Sequence, residues 1–301
     1  MFADASDAGG ESWDAVFQMK EHSSYGEIAR HLLTRKLAAG VIPWEIFVND
    51  VFALPGQRDQ WTVSLLMDAC PTELILRPSV HRIFHPAHPE GRVRLPARLI
   101  VGVQNQNSLT KAQFQEWLSH WPGGAGVEVV YKMLPMNLRI HALEAEAVDA
   151  TIAPSPWGMY AESIGIGSCD TRFTPGRFAQ QVAVVCRRDF FESRPGVAGR
   201  LPGMMSAARE SLKQKSGMAR AVGRMASIGK LELGLGLFEK AAAFHGFDSL
   251  PPAVAPDVRQ LTQAFSRLAE QSILPAQVAA GEPMARLLAS DPPGGHGSGR
   301  F

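Results

Sequence analysis

Residues 97–155 alternate in a way that few folds accept. "ARLIVGV" (residues 97–103) is an unbroken apolar run, the pattern of a strand covered on both faces. A helix follows, with Ser108 as its N-cap and Phe114, Trp117, Leu118 and Trp121 along one side. "GVEVVYKM" then reads as a strand, "NLRIHALEAEA" as a helix and "VDATIAPS" as a strand again. Strand, helix, strand, helix, strand at this spacing needs right-handed crossovers, and therefore a parallel sheet flanked by helices. Such sheets take ligands beyond the carboxyl ends of their strands, beside helix N-termini. "QNQNS" and "PSPWG" both fall on that rim.

The flanking segments extend the pattern. "WDAVFQM" (residues 13–19) alternates as a short strand, and Ser24 opens a helix carrying Ile28, Leu32, Leu33 and Leu37, with Gly40 beyond its end. "VIPWEIFVNDVFAL" is apolar enough for a buried strand, but Pro43 interrupts it, so a strand end and turn are expected there. "WTVSLLMDA" predicts a strand stopping at Asp68, and Thr72 opens a helix or an extended segment. Residues 78–96, rich in Pro, His and Arg, read as a loop or a crossing between lobes. "QVAVVCRRDFF" (residues 181–191) is a further strand that returns the chain. Beyond Gly199 the pattern is helical, with Val258, Leu261, Phe265 and Leu268 as the best amphipathic stripe. The end, residues 291–301, has the composition of a disordered tail.

Composition narrows the function classes. A chain of 301 residues with 46% hydrophobic and 20% charged residues can bury one large core or two smaller ones. A net charge of +1 gives no general attraction to nucleic acid or to an acidic membrane surface. The basic stretch 209–230 lacks interleaved aromatics and reads as a solvated helix face. Cys70, Cys169 and Cys186 fit no zinc spacing and are expected as buried thiols. No apolar run has the length of a membrane span, and the first residues lack a secretory signal, so the sequence as it stands reads as cytoplasmic.

The order of these segments resembles the nitrate/bicarbonate-binding proteins of bacterial ABC transporters. "LIVGVQNQNSLTKAQFQEWLSHW" and "VVYKMLPMNLRIHALEAEAVDATIAPSPWGMYAE" are similar to that family's second lobe. Leu134-Pro135-Met136 stands at its "lPP", Val148-Asp149 at its "ID" and Ser155-Pro156-Trp157 at its "EPW". "FTPGRFAQQVAVVCRRDFFESRP" looks like the stretch that follows, and "SSYGEIARHLLTRKLAAGVIPWEIFV" and "VSLLMDACPTELILRPSV" resemble segments of the first lobe. The departures are equally specific. Ala147 stands where the family has a glycine, Ser155 where it has an acid, Gln181 where it has a lysine, and Trp44-Glu45-Ile46 where it has "AAH". The family's opening strand and helix have no counterpart, which a coding start placed too late would explain.

The resemblance implies a two-lobed α/β fold of the type II periplasmic-binding-protein kind, with mixed sheets flanked by helices. Residues 1–95 and 200–290 form the first lobe and 96–199 the second. It implies a solute-binding component of an ABC transport system that closes on a small anion or polar solute, hands it to a permease and ATPase, uses no cofactor and catalyses nothing. With a signal upstream, the protein works in the periplasm. Two alternatives share the fold: a cytoplasmic nitrate-sensing regulator, and an enzyme like those of thiamine-pyrimidine synthesis, which need a cysteine-rich motif absent here.

The candidate ligand residues lie on the rim. Gln106, Asn107 and Ser108 sit at a strand end and helix start, where backbone N–H groups and the helix dipole favour an anion. Position alone makes Trp157 a packed corner; the resemblance implies the wall of a small-ligand pocket, with Ser155 as a donor. Asp68 and Thr72 occupy the matching rim of the first lobe, although short polar residues there also form turns. Gln181 in place of a cation lowers charge complementarity, which Arg172 or Arg177 would restore. His81, His85 and His88 are close in sequence, but Pro86 and Pro89 break the helix that would align the first two, so a solvated loop is expected over a metal site. "APSPW" lacks the glycines of a nucleophile elbow, and Gly234 and Gly236 follow no strand and form no phosphate loop.

Overall fold

Two sheets of different character carry the described chain. The computed structural model describes residues 24–68, 72–85, 95–104, 109–173, 181–193, 210–229 and 258–270, with isolated positions between 203 and 239. The expected strand at 13–19 and the tail at 291–301 lie outside the described residues. No described helix is long and apolar enough to cross a membrane.

Helix α1, Tyr25–Leu33, starts at Ser24 as its sequence predicts: the Ser24 hydroxyl accepts the Glu27 backbone N–H at 3.2 Å. Strand β1, Ala39–Pro43, follows, and Gly40 lies under α1, where a Cβ would stand 3.0 Å from Ile28 Cγ2. The strand ends at Pro43 as expected, but the next residues are helical. Helix α2, Trp44–Phe47, runs on through a π-helical turn at Val48–Phe52. Burial cannot separate helix from strand in so apolar a run; Pro43 preceding the first helical residue decides it.

Strand β2, Trp61–Asp68, completes this lobe's first described half. Strand β3, Thr72–Leu76, is extended, and helix α3, Pro78–Phe84, replaces the loop expected from residue 78. Its proline sits at the first helical turn, where no N–H partner is lost. The alternating unit then appears as read: β4 Arg98–Val103, α4 Leu109–Ser119, β5 Glu128–Met133, α5 Met136–Glu144, β6 Ala150–Pro154 and α6 Trp157–Ser163. A two-residue strand β7, Ser168–Cys169, precedes β8, Gln181–Arg187, and α7, Arg188–Ser193. Helices α8, Lys215–Gly229, and α9, Val258–Glu270, end the described part.

The small sheet has the order β1-β8-β2 and is antiparallel; the large one runs β5-β4-β6-β3-β7. Strands β4, β5 and β6 are parallel as the crossovers demand, while β3 joins antiparallel to β6 and β7. The chain therefore passes from the small sheet to the large one between Asp68 and Thr72, and returns between β7 and Gln181. Residues 24–68 supply two strands of the small sheet, and β8 becomes its central strand. One core gathers α1, α2 and the small sheet around Trp44, Phe47 and Trp61, and the α9 stripe closes it with Leu261, Phe265 and Leu268. The large sheet has a core on each face, one under α3 and α4, the other under α5 and α6. Helix α4 belongs to both lobes, because Leu109 enters the small-sheet core and Phe114 and Trp117 the large-sheet core.

Asp149 pins the start of β6. Its Oδ1 pairs with Arg77 Nη2 at 2.7 Å and its Oδ2 accepts the Ile100 N–H at 2.8 Å. The second Arg77 nitrogen reaches Glu146 at 2.5 Å. Glu146 is the left-handed residue of this turn, at φ 54°, one position before the Ala147 matched to a glycine.

Candidate ligand site at the carboxyl rim

Register brings the expected rim residues together in two pairs. Asp68, the last residue of β2, stands opposite Gln181, the first of β8. Thr72, the first of β3, stands opposite Pro154, next to Ser155. Four residue steps join Asp68 to Thr72, so the two pairs lie within about 14 Å of each other. Gln106, Asn107 and Ser108, and likewise Arg177 and His88, are outside the described residues.

The Thr72 and Ser155 hydroxyls share an unusual state. Each residue is 7% exposed, and among the described residues neither hydroxyl oxygen has a hydrogen-bond partner. An unpartnered buried hydroxyl costs about 1–3 kcal/mol. The two lie at the paired ends of β3 and β6. Ser155 leads through a cis Ser155–Pro156 bond into α6.

Trp157 is 6% exposed and packs in the core beneath α5 and α6, with its ring edge-on to Tyr160 at 6.2 Å. Next to it the start of α6 already holds an anion, for Gly158 N–H donates to Glu73 Oε2 at 2.7 Å. The carboxylate comes from β3, one residue beyond Thr72, and satisfies a free N–H of the first turn. The geometry demands glycine at 158: a Cβ there would lie 2.2 Å from Cys169 Sγ and 2.6 Å from Glu73 Oε2. Burial, and then the Glu73, Glu162 and Asp170 carboxylates, push the Cys169 thiol well up and keep it protonated. Cys186 is buried, shares a 3.2 Å contact with Ser64 Oγ, and is pushed up to about 11 by burial, the Ser64 hydrogen bond opposing. Both are free thiols, Cys186 buried as expected and Cys169 only half-buried, while Cys70 lies outside the described residues.

The histidine reading needs correction in one respect. Helix α3 does align His81 with His85, and their rings stack at 4.5 Å. Pro86 follows the pair instead of dividing it. His85 Nε2 meets Asp170 Oδ2 at 3.0 Å, and the same oxygen accepts Trp117 Nε1–H at 3.0 Å. This is a buried anchor for edge strand β7, and among the described residues no three His, Cys, Asp or Glu side chains are grouped to hold a metal. Arg172 is already engaged, its guanidinium carbon 5.0 Å from the centre of the Trp121 ring.

Sequence reasoning missed Arg139. It is only 1% exposed, in the first turns of α5, and its Nη1 donates to the Ile152 carbonyl at 2.5 Å. In the sequence it is one polar residue in a helix of weak amphipathicity, and nothing there marks it as buried.

No protein-family model and no curated protein sequence matches the chain. Solved structures do match in shape. The alkanesulfonate-binding protein SsuA from Xanthomonas axonopodis pv. citri, bound to MOPS, superimposes with a TM-score of 0.60 at 13% identity, over 89% of this chain and 86% of that one. The periplasmic nitrate-binding protein NrtA from Synechocystis PCC 6803 gives 0.57 at 11% identity, over 88% and 75%. The periplasmic aliphatic sulphonate binding protein SsuA from Escherichia coli gives 0.56 at 12%, over 89% and 85%. At these identities the likeness is one of architecture: the chain has the two-lobed, mixed α/β fold of the periplasmic-binding-protein type.

Proposed function

We propose that this chain is a solute-binding protein of the ABC-import kind, which closes its two lobes on a small anion or polar solute at the carboxyl rim. The observation that carries the reading is the pair of buried hydroxyls of Thr72 and Ser155, unpartnered among the described residues, at the edge where this fold receives ligands. The likeness to SsuA and NrtA supports the same role. Binding favours the closed arrangement in proportion to its differential affinity, and that closed form is what a permease with its ATPase would recognise. A periplasmic location follows if the natural chain is exported. The protein binds and releases; the chemistry of transport lies in its partners.

Trp157→Ala is a poor test, because Trp157 sits in the core and truncating it costs about 3–5 kcal/mol of stability by itself. Thr72→Val and Ser155→Ala are cleaner. Each removes an oxygen that bonds nothing in the described structure, so the melting temperature without ligand should hold or rise. Isothermal titration against nitrate, nitrite, bicarbonate and aliphatic sulfonates should show one saturable site on the parent chain, weakened roughly 10-fold or more by either change. Undiminished affinity in both variants would place the solute elsewhere.

A further inference from the structure

We propose that Arg139 supplies the positive charge of the solute site, and that the solute accordingly carries a singly charged acid group set against this guanidinium. The inference rests on the solute-binding reading and deepens it by naming the charge of the ligand and the residue that meets it.

A guanidinium has five N–H donors and a permanent charge. Arg139 is almost wholly buried, yet among the described residues its guanidinium donates to the neutral Ile152 carbonyl and its Nε has no acceptor. Among the described residues no carboxylate pairs with it; the carboxylates near the sheet serve other groups. Asp149 and Glu146 hold Arg77, Asp170 holds Trp117 and His85, and Glu73 caps α6. A buried charge without a counter-ion is expensive, and a protein retains one chiefly where an anion arrives to complete it.

The place is right as well. Arg139 leans on the face of the large sheet covered by α5 and α6, and its hydrogen-bonded carbonyl lies three residues before Ser155 on β6. Gly102 of β4 makes room for its stem, since a Cβ there would stand 3.5 Å from Arg139 Cγ and 3.3 Å from Thr151 Oγ1. Tyr25, the first residue of α1, acts on the guanidinium in the opposite sense to burial, favouring its charged form. Burial lowers its pKa to about 10, so it stays charged at neutral pH. Among the described residues Gln181 is neutral, Arg172 stacks on Trp121, and Arg77, although its Nε is also open, is paired with two carboxylates; Arg139 combines near-complete burial, an open Nε–H and no carboxylate partner. The planar fork fits a sulfonate, nitrate or carboxylate group through two parallel N–H donors.

The test sets anions against neutral isosteres. The full chain and its Arg139→Met, Arg139→Lys and Ser155→Ala variants are titrated calorimetrically with nitrate, methanesulfonate and acetate, and with methanesulfonamide and acetamide. Melting temperatures are measured without ligand. The parent chain should bind one or more of the anions and neither amide. Arg139→Met should weaken that binding roughly 10- to 100-fold, with a ligand-free melting temperature that holds or rises. Arg139→Lys, which keeps the charge and loses the fork, should fall between, and it carries the test if Arg139→Met does not fold. Anion binding by Arg139→Met within twofold of the parent, with Ser155→Ala impaired, overturns the role of Arg139 and leaves the solute-binding reading standing. Binding of an amide as tightly as its anion overturns the charge assignment alone. No saturable binding of any probe by the parent chain sinks both.

Discussion

Gly158 shows how little room the corner of α6 allows. Backbone N–H, Glu73 carboxylate and Cys169 sulfur converge where a Cβ would project, and two of the distances to it fall under 3.0 Å. Neither neighbour can retreat freely, because Glu73 holds the helix start and Cys169 lies in β7, paired with Ile75. Gly158→Ala should therefore cost about 1–3 kcal/mol, read as a lowered urea midpoint with an unchanged slope. Little or no loss would mean that Glu73 does not hold this helix end. The resemblance placed an acid at position 155; here the sequence has serine, and a carboxylate reaches the neighbouring helix start from β3. Aligned motifs cannot reveal such an exchange, because Glu73 and Gly158 meet only through strand pairing.

Among the elements, α3 and the edge strand β7 form a unit whose stability depends on pH. Burial first, and then His85, lower the His81 pKa below 6.5, with Asp170 and Glu162 opposing. A histidine lowered on folding binds its proton more readily in the unfolded chain. Its contribution is complete above about pH 6.5 and is lost as pH falls from there through the lower folded value. His81→Gln should therefore show a smaller fall in melting temperature between pH 7 and pH 5 than the parent, measured by circular dichroism without ligand. Equal falls would show that His81 is not lowered. The sequence hid α3 because the prolines at 78, 86 and 89 punctuate a polar stretch like a loop; Val80 and Phe84, buried four residues apart, are its periodic signal. By contrast, β4 and β6 were legible, since strands buried on both faces need apolar runs, and the helix between β4 and β5 showed through Phe114, Trp117 and Leu118 on one buried side.

For the whole molecule, the proposed function makes ligand binding and closure one equilibrium. A solute at one hundred times its dissociation constant should stabilise the folded chain by about 2.7 kcal/mol. The same addition should shrink the radius of gyration in small-angle scattering, and Ser155→Ala should blunt both effects at equal ligand concentration. Stabilisation without contraction would mean that the solute binds but the lobes do not close on it.

The sequence alone determined the alternating unit at residues 97–155, the α9 stripe and the returning strand, expected over 181–191 and ending at Arg187, where helix α7 takes over. Each is a local pattern, fixed by the 3.6-residue and two-residue periods and by where apolar runs stop. Only the tertiary structure decided that β3 joins the large sheet and β8 the small one, and that Asp68 faces Gln181 while Thr72 flanks Ser155. It also decided that Arg139 is buried with its Nε–H unpartnered among the described residues. Pairing partners and counter-ions are distant in sequence, and whether a polar atom has been satisfied depends on every group that folding brings beside it.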